Sequence, residues 1–245
     1  MTDARRPRES LRDTERLAKA ERIFSVLLPH FSEERLLRIL EVGTGVGAIA
    51  SYFGRKLGEG AAEYAVDVRG QRLSRKGFEF KLVDGIAIPF EAGHFDLVVS
   101  NHVIEHVGDR LNQMEHVREI LRVLKPSGIG YLAVPSRWQI IGPHYGIGFL
   151  SWLPRRRRSA YLKRRGRGNY SDCKPVSLSE LESIFTKVGA FAENVLTKVV
   201  QGFNNAQAKG NFLLRILRYA HSAWLTPLRA LSPTHVYLFG RARRG

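Results

Sequence analysis

The sequence predicts an α/β fold in which helices cover both faces of a doubly wound, mostly parallel sheet of seven strands, with an antiparallel last strand and an insertion after strand five. Two observations predict this fold. Short apolar runs alternate with segments of helical periodicity along much of the 245 residues, a pattern typical of parallel sheets. A glycine-rich turn at residues 43–47 also joins the first apolar run to a helical segment, and such folds bind ligands at this kind of turn.

The elements are expected in the following order. Apolar residues recur at helical spacing from Thr14 to Leu28, so a helix there would lie over the ligand cleft or pack on the sheet. The stretch 69–77 is too short and polar for a convincing helix, which predicts an abbreviated crossover. Amphipathic segments predict helices near 46–57, 109–124 and 177–188. Apolar runs predict strands at 37–42, 63–68, 78–83, 95–100, 129–134, 191–197 and 235–240.

The length and the 44% apolar content fit one globular domain with a sizeable core. The single cysteine, Cys173, excludes an internal disulfide. The first residues do not resemble a secretory signal, and no uninterrupted apolar run reaches the roughly 18 residues of a spanning helix. We therefore expect a cytoplasmic protein.

Charge is the second informative property. The chain has 39 basic and 23 acidic residues, a net charge of +16, which favours binding to polyanions or anionic surfaces. Arginines cluster at 155–167, where they could bind the phosphate of a lipid-linked substrate, anionic lipid or RNA, or form a solvated loop. No RNA-reading module is recognisable, so we favour the lipid alternatives. Residues 211–231 form a basic amphipathic pattern that fits an interfacial helix or a helix packed on the sheet.

The turn after the first strand reads Glu41-Val42-Gly43-Thr44-Gly45-Val46-Gly47. Glycines let the backbone approach a ligand closely. Gly43, Gly45 and Ala48 also fit the fingerprint of dinucleotide enzymes, with Asp67 placed for a ribose. The carboxylate of Glu41 would repel a pyrophosphate but suits a cationic cofactor such as S-adenosylmethionine.

These residues resemble the class I S-adenosylmethionine-dependent methyltransferases, and most closely the small-molecule group called type 11, which includes quinone-biosynthesis enzymes. The resemblance runs from about Arg38 to Pro135 and consists of five motifs in order. Besides the glycine turn and Asp67, the motifs are Asp84-Gly85, then the fourth-strand motif Ile88-Pro89-Phe90 with His94–Ser100 and the His102–Val107 segment that follows it, and finally Leu121–Gly128.

The resemblance implies the Rossmann-like form of this fold, with S-adenosylmethionine as cofactor. Glu41 and the glycines would bind the methionine end of the cofactor, Asp67 its ribose, and Asp84 with Gly85 its adenine. The full set of implied cofactor contacts is Glu41, Gly43, Thr44, Gly45, Gly47, Asp67, Val68, Asp84, Gly85 and Asn101.

His102, Glu105 and His106 follow the fourth strand, where three interpretations remain open. His106 or His102 could be the general base for an oxygen acceptor. All three could bind a divalent metal, as in relatives with Glu-x-x-Glu-His, but a histidine in place of the first glutamate suits magnesium poorly. They could also be structural. We favour no metal.

The predicted domain, 1–245, has a mobile basic arm at 1–12, a cofactor-binding half at 13–135, a basic and aromatic insertion at 136–176, and a C-terminal half at 177–245. Trp138, His144 and Tyr145 in the insertion would line an acceptor pocket or form a packed aromatic cap.

The predicted activity is methyl transfer to an oxygen of a small-molecule or lipid-linked acceptor, with peripheral binding at the inner face of an anionic membrane. Two alternatives are a nucleic-acid enzyme that methylates RNA through the basic face, and a non-catalytic, cofactor-binding partner subunit.

Overall fold

The computed structural model describes residues 6–31, 36–71, 76–136, 153, 155–164, 174–196 and 232–242. Seven strands form one sheet in the order β3-β2-β1-β4-β5-β7-β6. Strands β1 to β5 pair in parallel, and β7 is antiparallel to both β5 and β6. The doubly wound sheet with an antiparallel last strand is therefore confirmed. The strands are β1 Leu37–Val42, β2 Ala61–Asp67, β3 Glu79–Leu82, β4 Phe95–Asn101, β5 Leu124–Pro135, β6 Ala190–Asn194 and β7 Thr234–Arg241.

Four of the described helices lie close to the predicted positions, with differences at their ends, and the fifth, α4, forms in the insertion, where no helix was predicted. Helix α1 begins at Arg6, earlier than the periodicity indicates, and so includes part of the segment 1–12 for which mobility is expected. Strand β5 begins at Leu124 instead of 129, and a register shift between Phe95 and Leu97 accommodates the extra residues. The helices are α1 Arg6–Leu27, α2 Ala48–Leu57, α3 Arg110–Val123, α4 Arg155–Arg164 and α5 Leu178–Lys187.

Two hydrophobic clusters cover the two faces of the sheet. On one face, Ile23 of α1 and Phe53 of α2 belong to the cluster that includes Val99 and Tyr131. Helix α1 therefore packs on the sheet, which was one of its two predicted positions. On the other face, helices α3 and α5 pack against a second cluster; its strand residues include Leu40, Val98, Leu132, Tyr237 and Phe239.

Local capping fixes the helices that follow the functional strands. The carboxylate of Asp109 accepts hydrogen bonds from the backbone N–H groups of Leu111 and Asn112 at the start of α3. This cap comes directly after the turn that carries His102 and His106. Ser177 and Glu180 form a reciprocal capping box at the start of α5. Such caps satisfy N–H groups that lack a partner within the helix.

Several predictions concern residues that the structure does not describe. Trp138, His144, Tyr145 and Cys173 lie outside the described residues, as does the segment 211–231. Within the described part of the crossover between β2 and β3, which omits 72–75, no helix occurs. In the ranges that are described, no helix has both the length and the apolar content needed to cross a membrane.

Candidate active site

The glycine turn lies at the carboxyl edge of the sheet, the edge at which the parallel strands end. Gly43 has φ +72°, and its N–H donates a 2.8 Å hydrogen bond to the carbonyl of Val66. A Cβ at this position would overlap Cγ2 of Val103. Glycine is required here both because φ is positive and because the turn approaches the loop after β4.

The side chain of Glu41 stabilises this turn through hydrogen bonds. Its buried carboxylate accepts hydrogen bonds from the hydroxyl of Thr44 (2.6 Å) and from the N–H of Ala50 in α2 (2.9 Å). Burial raises the pKa of Glu41 to about 7, so its negative charge near neutral pH is reduced relative to that of a surface glutamate. The electrostatic argument against a pyrophosphate ligand is weakened accordingly.

Asp67 ends β2 and connects two parts of the site. One carboxylate oxygen accepts a 2.7 Å hydrogen bond from the N–H of Gly45, and the other accepts a 2.8 Å bond from the N–H of Arg69. The side chain thereby fixes the glycine turn relative to the loop after β2. These bonds position the carboxylate beside the space that a ligand would occupy.

A pocket of about 600 Å³ opens at this edge, within the size range of cofactor sites. Glu41, Thr44, Gly47, Asp84 and Asn101 are not among its lining residues. Arg69, Gln71 and His116 line it although the sequence patterns did not single them out. Of the predicted residues, the lining contains Gly43, Gly45, Asp67, Val68, Gly85, His102 and His106.

His102 has an unusual backbone. Its φ of +60° is positive, which no other non-glycine residue among those described shares. Its N–H donates a 2.8 Å hydrogen bond to the carbonyl of Ala133 in β5. A left-handed conformation costs a side-chain-bearing residue about 1–2 kcal/mol, and strained residues of this kind cluster at functional sites.

Glu105 lies behind the two histidines and is completely buried. One of its oxygens lies 3.5 Å from Nδ1 of His102 and 4.0 Å from Nε2 of His106, and neither oxygen accepts a hydrogen bond. A buried carboxylate that accepts no hydrogen bond is energetically costly. Among the residues described, no three metal-ligating side chains converge on one point.

A third histidine, His116 of α3, faces the same pocket. It is buried, its Nε2 lies 2.9 Å from the hydroxyl of Ser100, and burial lowers its pKa to about 4. The ring is therefore neutral at physiological pH. In the sequence, this buried position is indicated only by the place of His116 beside Val117, on the apolar face of a predicted helix.

This sheet order and the glycine turn at its carboxyl edge define the class I methyltransferase fold. Residues 40–132 match the model of a family described as a methyltransferase domain. This part of the chain is therefore similar to methyltransferase domains, in agreement with the resemblance that the sequence motifs indicate.

Individual proteins agree with this assignment. A ubiquinone biosynthesis O-methyltransferase of Parvibaculum lavamentivorans is 27% identical over 134 residues, 49% of this chain and 49% of the relative. Tocopherol O-methyltransferase of Arabidopsis thaliana is 32% identical over 106 residues, 39% of this chain and 29% of the relative. The chain therefore spans half or less of the length of these curated relatives.

A solved structure extends the likeness of the fold beyond the matched domain. The plantazolicin methyltransferase BpumL, solved with a substrate analogue and SAH, has a TM-score of 0.57 and 16% identity. The likeness covers 94% of this chain and 85% of that one.

Proposed function

We propose that this protein transfers the methyl group of S-adenosylmethionine to an oxygen atom of a small-molecule or lipid-linked acceptor. The observation that carries the proposal is that residues of the glycine turn, Asp67, His102 and His106 all line one pocket. Its lining combines residues suited to the cofactor with imidazoles suited to a hydroxyl acceptor.

The glycine turn and Asp67 fit S-adenosylmethionine chemically. Gly43 and Gly45 have positive φ and expose backbone without a Cβ, which allows close approach of the methionine end. The carboxylate of Asp67 suits the two hydroxyls of a ribose. When bound, S-adenosylmethionine supplies an activated methyl group on a sulfonium, and S-adenosylhomocysteine leaves as the sulfonium–methyl bond breaks.

His102 is proposed as the general base. Its Nδ1 faces Glu105, which leaves Nε2 to accept the acceptor's hydroxyl proton as the new oxygen–methyl bond forms. The imidazolium that results lies 3.5 Å from the buried carboxylate of Glu105, which stabilises it. In this arrangement Glu105 orients His102, the general base, towards the acceptor hydroxyl. His116, held neutral beside Ser100, adds a polar wall without adding charge.

Two observations support an oxygen acceptor with apolar character. The relatives named above are O-methyltransferases of ubiquinone biosynthesis and of tocopherol. Val103 and Val107 line the pocket beside the histidines, so an aromatic or lipid-like acceptor would find apolar contacts there. The basic composition adds a reason to favour acceptors that lie at an anionic membrane.

The proposal is tested by methyl transfer from labelled S-adenosylmethionine to a catechol probe and to a membrane lipid extract. His102→Ala should lower kcat by at least about a hundredfold, the usual contribution of a general base, while affinity for S-adenosylhomocysteine is unchanged. The exposed His30 provides the control variant His30→Ala, which should keep full activity. Unchanged kcat in His102→Ala would refute the assigned base.

A further inference from the structure

The net positive charge of the chain comes from two stretches of sequence. Residues 120–171 contain eleven basic residues and no acidic one, and residues 194–245 contain eight basic residues and no acidic one. The rest of the chain has slightly more acidic than basic residues. A general bias towards basic composition would spread the charge along the chain, so this separation indicates a localised basic surface.

The sheet brings the middle part of each stretch to the same edge. These parts, residues 136–171 after β5 and 195–233 between β6 and β7, contain nine and five of the basic residues. Strand β5 ends at Pro135, and β6, which runs in the same direction, ends at Asn194. The chain returns where Ser136 forms a β-bridge with Val176 and donates a 2.9 Å hydrogen bond to the carbonyl of Pro233. Both acid-free excursions therefore leave and re-enter at the carboxyl edge, where the pocket opens.

Helix α4 is the described element within the first excursion. Six of its ten residues are basic and none is acidic. Leu162 is fully buried, whereas Arg157, Lys163 and Arg164 are exposed. The buried leucine fixes the orientation of the helix, so the cations on its exposed side form a basic surface with a fixed position.

The apolar composition of these stretches distinguishes between anionic partners. All three tryptophans of the chain, Trp138, Trp152 and Trp224, occur in the two acid-free stretches. Tryptophan is enriched where protein meets the headgroup region of a bilayer, and basic residues beside it add attraction to anionic lipid. A surface that binds only the phosphates of an RNA backbone needs basic residues, but it gives no reason for the tryptophans to occur in the same stretches.

We propose that the carboxyl edge, through the exposed basic face of α4, docks on a bilayer that contains anionic lipid. Docking there brings the pocket to the membrane surface, where a lipid-linked acceptor is found. The inference rests on the proposed function for the identity of the acceptor. Membrane docking is measured without enzyme turnover, so the docking proposal and the proposed function can be refuted separately.

The test is co-sedimentation of the full chain with vesicles of phosphatidylcholine, with or without about 30% phosphatidylglycerol. The variant Arg157→Glu/Lys163→Glu/Arg164→Glu reverses the exposed charges of α4. The control Lys56→Glu/Lys76→Glu/Lys187→Glu makes the same change in net charge at exposed positions near the opposite edge of the sheet. A glutamine version of the α4 variant and circular dichroism separate docking from folding.

We expect binding only to the anionic vesicles, weakened by added salt. At about 1 kcal/mol for each basic residue near the surface, the α4 variant should bind at least about a hundredfold more weakly, and the control should change by less than about threefold. Equal losses in both variants, or equal binding to both kinds of vesicle, would overturn the proposal. Displacement from vesicles by RNA at equal phosphate concentration would assign the face to nucleic acid instead.

Discussion

Gly43→Ala should destabilise the protein more than the same change at Gly45. Both glycines have positive φ, +72° and +54°, but only at Gly43 would the added methyl group overlap a neighbour, Val103. Nothing lies within 4 Å of the corresponding position at Gly45. The two sites therefore share the backbone strain and differ in the steric overlap.

The magnitude follows from these two contributions. A left-handed alanine costs about 1–2 kcal/mol, and an overlapping methyl group in a packed region adds about 1–3 kcal/mol. We expect a loss of about 2–5 kcal/mol in the free energy of unfolding for Gly43→Ala and about 1–2 kcal/mol for Gly45→Ala. Urea denaturation followed by circular dichroism measures both, with the denaturant slope checked for constancy.

The double variant Gly43→Ala/Val103→Ala tests the cause. Removing the two γ-methyl groups of Val103 should relieve the overlap, so Gly43→Ala should cost less in the Val103→Ala background than in the wild type. Equal losses at Gly43 and Gly45, or no change in the Val103→Ala background, would show that the close approach to Val103 does not determine the glycine at position 43.

Three further predictions concern buried polar groups and a helix cap. The folded-state pKa of Glu41 is about 7, above the ordinary 4.5, so the folded state binds more protons between these values and the free energy of unfolding should fall as pH rises through them. In urea titrations at pH 5 and 8, Glu41→Gln should reduce this fall by up to about 3 kcal/mol, and the buried Glu63, whose pKa burial also raises, should account for the slope that remains. Ser100→Ala should cost about 1–3 kcal/mol because it leaves the buried His116 without its hydroxyl partner, as thermal and urea unfolding would report. Ser177→Ala removes a capping box with Glu180 and should cost about 1 kcal/mol, whereas a loss below about 0.3 kcal/mol would show that the cap is dispensable.

The arrangement of the strands was predictable because the central strands are buried. The β4 residues Phe95–Ser100 are all buried, and such strands read as continuous apolar runs. Element ends were less predictable. Helix α1 continues to Arg6 through residues without apolar periodicity, and β5 extends back through Pro126 and Gly128, which as isolated signals indicate a turn.

The candidate site was predictable where glycines and strand ends carry the signal. Gly43, Gly45 and Asp67 meet at one pocket because neighbouring parallel strands end at one edge. The inward direction of Glu41, bonded to Thr44 and Ala50, depends on the packing of α2, which no local pattern specifies. The position of His116 in the pocket likewise depends on how α3 packs on β4.

The central claim is that the pocket beside Asp67 binds S-adenosylmethionine, and calorimetric titration with S-adenosylhomocysteine, run beside NAD, tests it most directly. We expect S-adenosylhomocysteine to bind to the wild-type protein and binding to be lost or strongly weakened in Asp67→Ala, with circular dichroism confirming that the variant is folded. Binding of NAD alone, or equal affinity of the wild type and Asp67→Ala for S-adenosylhomocysteine, would contradict the claim.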